Sequence, residues 1–120
     1  MNLDTLSVRS NRLTVLPVTI NDLRKLETLD LQHNKVVALP PLSNLQVLSE
    51  LDVQYNHLES MSDIGKLTNL ERLHLKYNRL AAVPDDLLGR LVKIRELDVE
   101  GNKLVAIPED ISKLKDLSKL

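Results

Sequence analysis

Residues 70–80 read LERLHLKYNRL, and this stretch sets the pattern for the whole chain. Leucines occupy its first, fourth, sixth and eleventh places, and Asn78 occupies the ninth. The same frame begins near residues 3, 26, 48, 70 and 94, with a partial copy near residue 117. Self-similarity at a period of roughly 20–50 residues is the sequence signature of a repeat architecture. We therefore expect residues 1–120 to form a single repeat domain.

The frame predicts one short strand in each repeat. Around its second and third leucines, apolar and polar residues alternate with the period of two that a strand requires. The apolar residues are expected to face inward, and the residues between them to face solvent. Helix-like patterns follow in the return segments 85–93 and 109–120, which begin with acids and end with bases. Pro40 and Pro41 argue against a helix in the second return segment, where extended or 3-10 structure is expected.

One asparagine recurs at the ninth place of every full frame, as Asn11, Asn34, Asn56, Asn78 and Asn102. It falls where the strand must turn, and buried backbone groups at such a turn need hydrogen-bond partners. An amide side chain both donates and accepts, so it can satisfy groups in its own coil and in the neighbouring coil. We interpret these five residues as a structural asparagine ladder.

With this frame over essentially its whole length, the chain resembles the leucine-rich repeat proteins. Four repeats resemble the intracellular class, in which a proline follows an apolar residue, at Leu16-Pro17, Leu39-Pro40, Val83-Pro84 and Ile107-Pro108. The third repeat, with Met61-Ser62 there, is more similar to the 22-residue phosphatase-regulator-like class. The resemblance implies an α/β solenoid, right-handed and curved, with a short-stranded parallel sheet on the concave face and short helices or turns on the convex face. It also implies a non-enzymatic protein-protein interaction module or scaffold in intracellular signalling.

Composition favours the same class of protein and argues against others. The chain has no cysteine, which removes disulfides and thiolate metal sites and fits a reducing compartment. Its first residues contain no apolar run of signal-peptide length, and no stretch approaches a membrane span. A formal net charge of -1 gives no overall attraction to nucleic acid or an anionic membrane. We expect a cytoplasmic protein whose partner is another protein, with no cofactor, nucleic acid or membrane involved.

The solvent-facing strand residues define the concave face. Its three columns read Thr5, Thr28, Glu50, Arg72, Glu96; Ser7, Asp30, Asp52, His74, Asp98; and Arg9, Gln32, Gln54, Lys76, Glu100. A fourth column beside them reads Ser10, His33, Tyr55, Tyr77, Gly101. Acidic residues outnumber basic ones on this face, and Arg72, His74 and Lys76 form a basic rung among them.

Charges steer a partner and aromatic residues anchor it, so this face is the predicted protein-binding surface. The predicted partner-binding residues are Asp30, Asp52, Tyr55, Arg72, His74, Lys76, Tyr77, Glu96, Asp98 and Glu100. The alternative is a plain solvated sheet face, on which opposite charges pair across strands. Both interpretations can hold in part.

A second row of charges lies just past the asparagines and is named here the basic ridge, Arg12, Lys35, His57, Arg79 and Lys103. A contact site for an acidic partner is one interpretation, and plain solubility is the other. Nucleic acid is disfavoured as a ligand, because the ridge is one charge wide and lacks aromatic residues for base stacking.

Catalysis and metal binding are not expected. Asp52, His74 and Asp98 should lie side by side, which superficially suggests acid–base chemistry. Flanking carboxylates favour the charged imidazole, however, and that form cannot ligate a metal. An open strand face also lacks the enclosed pocket that catalysis generally needs. We predict no catalytic residues and no metal ligands.

The two ends of the repeat array leave alternatives open. Leu3 leaves no room for an N-terminal cap, although the ends of a solenoid need polar covers. The chain is then a structural segment of a longer repeat array, a protein that self-associates end to end through uncapped termini, or one with a frayed first repeat. Separately, Ser118-Lys119-Leu120 matches the peroxisomal address, so peroxisomal cargo is a further alternative. The repeat by itself already predicts Leu120.

Overall fold

Five short strands form one parallel sheet in the computed structural model, which describes residues 4–60, 62–83 and 87–104. The strands are β1 Thr5–Ser7, β2 Thr28–Asp30, β3 Glu50–Asp52, β4 Arg72–His74 and β5 Glu96–Asp98. They lie side by side in chain order, each parallel to the next. The central residue of every strand is the second leucine of the frame, so the predicted strand positions are confirmed.

The return segments between the strands are short and mostly irregular. Two of them contain 3-10 helices, at Val18–Asp22 and Ser62–Lys66. A third contains helix α1, Leu87–Arg90, which confirms over four residues the helical pattern predicted for residues 85–93. Each return segment carries the chain back to the start of the next strand, which gives the predicted solenoid of repeated coils.

Residues 40 and 41 carry no helix, as the two prolines predict, since each proline fixes φ and removes a backbone donor. Other predictions concern residues beyond the described ranges. The helical pattern at residues 109–120, the partial repeat near residue 117 and the Ser118-Lys119-Leu120 signal all lie outside them.

One continuous aliphatic core lies between the sheet and the return segments. The leucines at the strand centres of β2, β3 and β4 are completely buried: Leu29, Leu51 and Leu73. Burying one such side chain stabilises the fold by roughly 1.5–3 kcal/mol, so a stack of identical leucine slots can replace a core of mixed side chains. In the first repeat, by contrast, Leu6 and Leu13 are only partly buried. No described coil covers their outer side.

The asparagine ladder joins each coil to the one before it, as Asn56 illustrates. Its Oδ1 accepts the N–H of Val36 at 3.0 Å, and its Nδ2 donates to the carbonyl of Leu31 at 2.8 Å. Both of these groups belong to the preceding coil. The same Nδ2 also donates to Val53, in its own coil, at 3.1 Å. One side chain therefore satisfies backbone groups of two coils, as predicted.

The interior members of the ladder share this geometry, and the first member does not. Asn34, Asn56 and Asn78 are buried and accept and donate across the coil boundary in the same way. Asn11 is exposed, and among the described residues it donates only to the carbonyls of Val8 and Arg9 in its own coil. The same residue type thus has an inter-coil role only where a coil precedes it.

Asn78→Ala should therefore lower the free energy of unfolding by about 1–3 kcal/mol, because it strands the Leu58 N–H and the Val53 carbonyl in a buried setting. Asn11→Ala is the matched control and should cost less, since it leaves no inter-coil group unpaired. Urea unfolding of both variants measures the difference. Equal losses for the two would mean that the ladder is not an inter-coil connection.

Candidate functional site

The strand register sets the central column of the concave face. Asp30 is in register with Asp52, Asp52 with His74, and His74 with Asp98. These side chains occupy neighbouring strands, as the repeat predicted. The column before it follows the same register, with Glu50 opposite Arg72 and Arg72 opposite Glu96.

The basic rung on β4 is paired with acids on both neighbouring strands. His74 Nε2 lies 3.1 Å from Glu50 Oε2 on β3, and Arg72 Nε lies 3.7 Å from Glu96 Oε2 on β5. The close contact of His74 is therefore with Glu50, and not with Asp52 or Asp98, which flank it in its own column. His74 is thus joined to Glu50 by a cross-strand hydrogen bond, and Arg72 forms a cross-strand ion pair with Glu96. The alternative of a face whose polar groups pair across strands therefore holds for this rung.

Lys76 completes the rung just past the end of β4. Its Nζ lies 3.5 Å from Asp98 Oδ2 and 3.5 Å from Glu100 Oε2. The pKa of Lys76 is raised, first by the Asp98 carboxylate and then by that of Glu100. Asp98 itself is only 2% exposed, although its position in the frame predicted a solvent-facing side chain. That expectation was wrong because Lys76 covers it.

The aspartates of the central column also shape the backbone, a role that the sequence analysis missed. Oδ1 of Asp30, Asp52 and Asp98 accepts the N–H two residues later, at 3.1, 3.1 and 3.3 Å. This local bond is typical of aspartate at the end of a regular element. The signal was available in the sequence, since three of the five repeats place aspartate at the last strand position.

Asp52 differs from the other acids of the face. It is 8% exposed, and its hydrogen bonds come from the neutral Gln54, through the backbone N–H at 3.1 Å and Nε2 at 3.0 Å. Burial raises the pKa of Asp52; the Gln54 bonds and His74 act against that shift, while Asp30 adds to it. Asp30 has one distant cation, with Arg9 Nη1 3.9 Å from its Oδ2. Asp30 and Asp52 thus form the acidic patch, the least neutralised part of the concave face.

The fourth column turns the chain away from the strands, and its residues all have positive φ. The angles are 60° at Ser10, 58° at His33, 57° at Tyr55, 54° at Tyr77 and 76° at Gly101. This left-handed conformation costs a residue with a Cβ roughly 1–2 kcal/mol. Its recurrence in every repeat shows that the turn is required by the coil.

Three rings of this column stack on one another. The ring centroids of His33 and Tyr55 are 4.5 Å apart, and those of Tyr55 and Tyr77 are 4.9 Å apart, with interplanar angles of 8° and 18°. Tyr77 then packs over Gly101, where an added Cβ would lie 2.4 Å from Tyr77 Cδ1. The predicted adjacency of the two tyrosines is confirmed, and His33 extends the group, which is named here the ring stack. The tyrosines remain 43% and 45% exposed.

The basic ridge runs beside the ring stack. An open groove is lined by Tyr55, Tyr77 and Gly101 on one side and by His57 and Arg79 on the other. Of the ridge residues, Arg12, Lys35, Arg79 and Lys103 are exposed and His57 is half-buried. The structure therefore brings the two predicted rows together along one edge of the concave face.

In the described parts of the chain, no three histidine, cysteine, aspartate or glutamate residues are grouped to hold a metal ion. Over the same residues, no helix is long and apolar enough to cross a bilayer. The groove beside the ring stack is open to solvent, whereas Asp52 of the acidic patch is buried.

Comparison with known proteins agrees with this geometry. The family model for the leucine rich repeat matches residues 1–58 and 68–120. The chain belongs to the leucine-rich repeat family. Membership indicates a protein-interaction module, and such folds are typically non-enzymatic scaffolds. No curated protein matches the chain.

Among solved structures, this leucine-rich repeat chain is similar to a leucine-rich repeat protein of Leptospira interrogans. The sequence identity is 33% and the TM-score is 0.92. The match covers 98% of this chain and 30% of the other protein, so the chain spans less than a third of its relative. The similarity supports the leucine-rich repeat solenoid.

The buried Asp52 carboxylate gives a prediction for the pH dependence of stability. Its folded-state pKa lies above the ordinary value of 3.8, so the folded protein holds the proton more tightly than the unfolded chain does. Stability is therefore lost as the pH rises from about 3.8 through the raised value. Asp52→Asn removes this loss, so its stability relative to the parent should increase between pH 4 and pH 7. Urea unfolding at both pH values measures it.

Asp22→Asn is the matched control for that experiment, because Asp22 is an exposed acid in a return segment. It should change the stability difference between the two pH values little. If Asp52→Asn lost stability relative to the parent on going from pH 4 to pH 7, burial would not govern the ionisation of Asp52.

Proposed function

We propose that this leucine-rich repeat protein binds another protein across its concave face, and that the acidic patch receives a cationic group of the partner. The observation that carries the proposal is the environment of Asp52. A carboxylate with little exposure, held by a neutral glutamine and next to a second acid, costs stability while it is charged. A lysine or arginine from a partner would remove that cost on binding.

The surrounding residues support a specific orientation for the partner. The Arg72–Glu96 ion pair and the His74–Glu50 hydrogen bond give the face a fixed pattern of polar groups beside the patch. Such patterns set register and suppress wrong partners more than they add affinity. Of the predicted partner-binding residues, Asp30 and Asp52 are therefore proposed as the energetic centre, and the paired ones as determinants of specificity.

The accompanying proposal is a scaffolding or signalling role in the cytoplasm. It is supported by the family to which the chain belongs and by the lack of cysteine. The peroxisomal address at Ser118-Lys119-Leu120 stays an alternative prediction for location.

The concave-face proposal is tested by affinity capture of a partner from a lysate of the source organism. The parent chain is compared with Asp30→Asn/Asp52→Asn, which removes two charges and keeps the side-chain shapes. The expected result is a binding partner whose affinity for this variant is at least about 30-fold weaker, as for the loss of an interface hot spot.

The matched control is Asp22→Asn/Glu59→Gln, which makes the same change in net charge at two exposed acids elsewhere. It should retain the partner. Both variants are first compared with the parent by thermal unfolding, so that loss of fold is not mistaken for loss of binding. Equal retention by both double variants would contradict the acidic patch as the binding centre.

A second candidate function is a structural segment that packs end to end with further repeats or with another copy. An open apolar groove at the β1 end favours it; the groove is lined by Leu6, Val8, Leu13, Leu16, Pro17, Thr19, Ile20 and Leu23. Sedimentation velocity over a range of concentrations tests self-association through this end. Self-association through this end should give a dimer that Leu13→Lys abolishes, whereas a monomer at all concentrations would contradict packing against another copy.

A further inference from the structure

The basic ridge differs from the concave face in whether its cations lie beside carboxylates of the same chain. On the concave face, Arg9, Arg72 and Lys76 each lie within 4.0 Å of a carboxylate. On the ridge, Arg12, Lys35, Arg79 and Lys103 make no ion pair or side-chain hydrogen bond with any part of the chain that the structure describes. The ridge is therefore a row of available positive charge beside a face whose positive charge is already neutralised.

Backbone hydrogen bonds hold the ridge in a regular row. The N–H of Lys35 donates to Leu13 at 2.7 Å, and that of Lys103 donates to Leu80 at 2.9 Å. His57 and Arg79 make the equivalent bonds to the preceding coils, at 3.0 and 2.9 Å. These four residues are thus each fixed one coil from the next, at a spacing of about 4.8 Å, and Arg12 occupies the same place in the first coil. Five coils give a row about 19 Å long.

The ring stack alongside the ridge restricts the kind of ligand. The faces of Tyr55 and Tyr77 are covered, because each ring lies against a neighbouring ring and Tyr77 also lies against Gly101. What remains exposed is their edges, which carry the positive part of the ring quadrupole, and their hydroxyls. Neither hydroxyl makes a hydrogen bond to the described residues. The two tyrosines therefore offer donors and positive edges, and neither has a free aromatic face.

We propose that the basic ridge and the ring stack bind an acidic segment of a partner protein in extended conformation. Its carboxylates would pair with the ridge cations, and its carboxylate or carbonyl oxygens would accept from the tyrosine hydroxyls. A row of about 19 Å accommodates about six extended residues at roughly 3.3 Å each. Single-stranded nucleic acid fits less well, since bases bind such proteins by stacking on free aromatic faces. This site goes beyond the proposed concave-face function and does not depend on it.

The test is a fluorescence-anisotropy titration with fluorescein-labelled hexaglutamate. A salt concentration of about 0.1 M gives a screening length of about 10 Å, which confines the effect to nearby charges. The parent chain is compared with Lys35→Ser/Arg79→Ser on the ridge and with Lys25→Ser/Lys93→Ser, which makes the same change in net charge at exposed lysines of the return segments. We expect roughly 2- to 30-fold weaker binding by the ridge variant, and binding by the control close to that of the parent.

A second comparison examines the ring stack. Tyr55→Phe/Tyr77→Phe keeps both rings and removes only the hydroxyls, and it should weaken binding a few-fold. The Lys35→Ser/Arg79→Ser variant should still retain a partner captured through the acidic patch, so failure of this site and failure of the concave-face function are distinguishable.

Three results would overturn the proposal. The first is no binding of hexaglutamate by the parent chain at roughly 1 mM protein. The second is equal binding by the ridge and control double variants, since that would indicate a response to net charge alone. The third is binding of labelled hexathymidylate as tightly as hexaglutamate, which would assign the row to nucleic acid. Circular dichroism verifies that each variant is folded before it is titrated.

Discussion

The structure depends on one constraint, that every coil must satisfy the backbone groups of the coil beside it. A three-residue strand offers few hydrogen bonds of its own, and the turn that follows it is buried. The asparagine supplies what the turn lacks, by accepting one N–H and donating to one carbonyl of the preceding coil. Leucine packing stabilises the stack, but leucines alone would leave polar groups unpaired. The asparagine ladder offsets the free-energy cost of burying the polar groups of the turn. The leucines of the repeat therefore cannot specify the fold without the asparagine.

The same constraint determines the shape of the surface. Because the strand ends by turning through a left-handed residue in every coil, one side chain per coil is placed at the same point and in the same orientation. Two tyrosines and a histidine at that position must stack, since their backbones are held one coil apart. Stacking of aromatic pairs contributes about 0.5–1.5 kcal/mol, which is comparable to the cost of the left-handed conformation. The ring stack is thus a consequence of coil geometry combined with a local choice of side chains.

The repeat frame predicted the fold and the rows of the surface because both follow from periodicity. Spacing alone indicates which residues share a column, and the register bears this out for Asp52, His74 and Asp98. It does not indicate which side chains pair, since that depends on their length and reach. His74 reaches Glu50 in a neighbouring column, and Lys76 covers Asp98 from outside its strand. Burial of Asp98 was missed for that reason.

Pairing also separates the surface into regions with different capacity to bind. A cation that already lies beside a carboxylate must break that contact before it can serve a partner, whereas a free cation gives its full interaction. Arg72 and Lys76 of the β4 rung lie beside carboxylates of the neighbouring strand, whereas the acidic patch has only the distant Arg9 and the nearby His74. Arg12, Lys35, Arg79 and Lys103 of the basic ridge have no acidic partner among the described residues. The two regions carry opposite sign and lie along the same short array of coils. A partner that presents a cationic group next to an acidic strand would complement both, and a uniformly charged partner could complement only one.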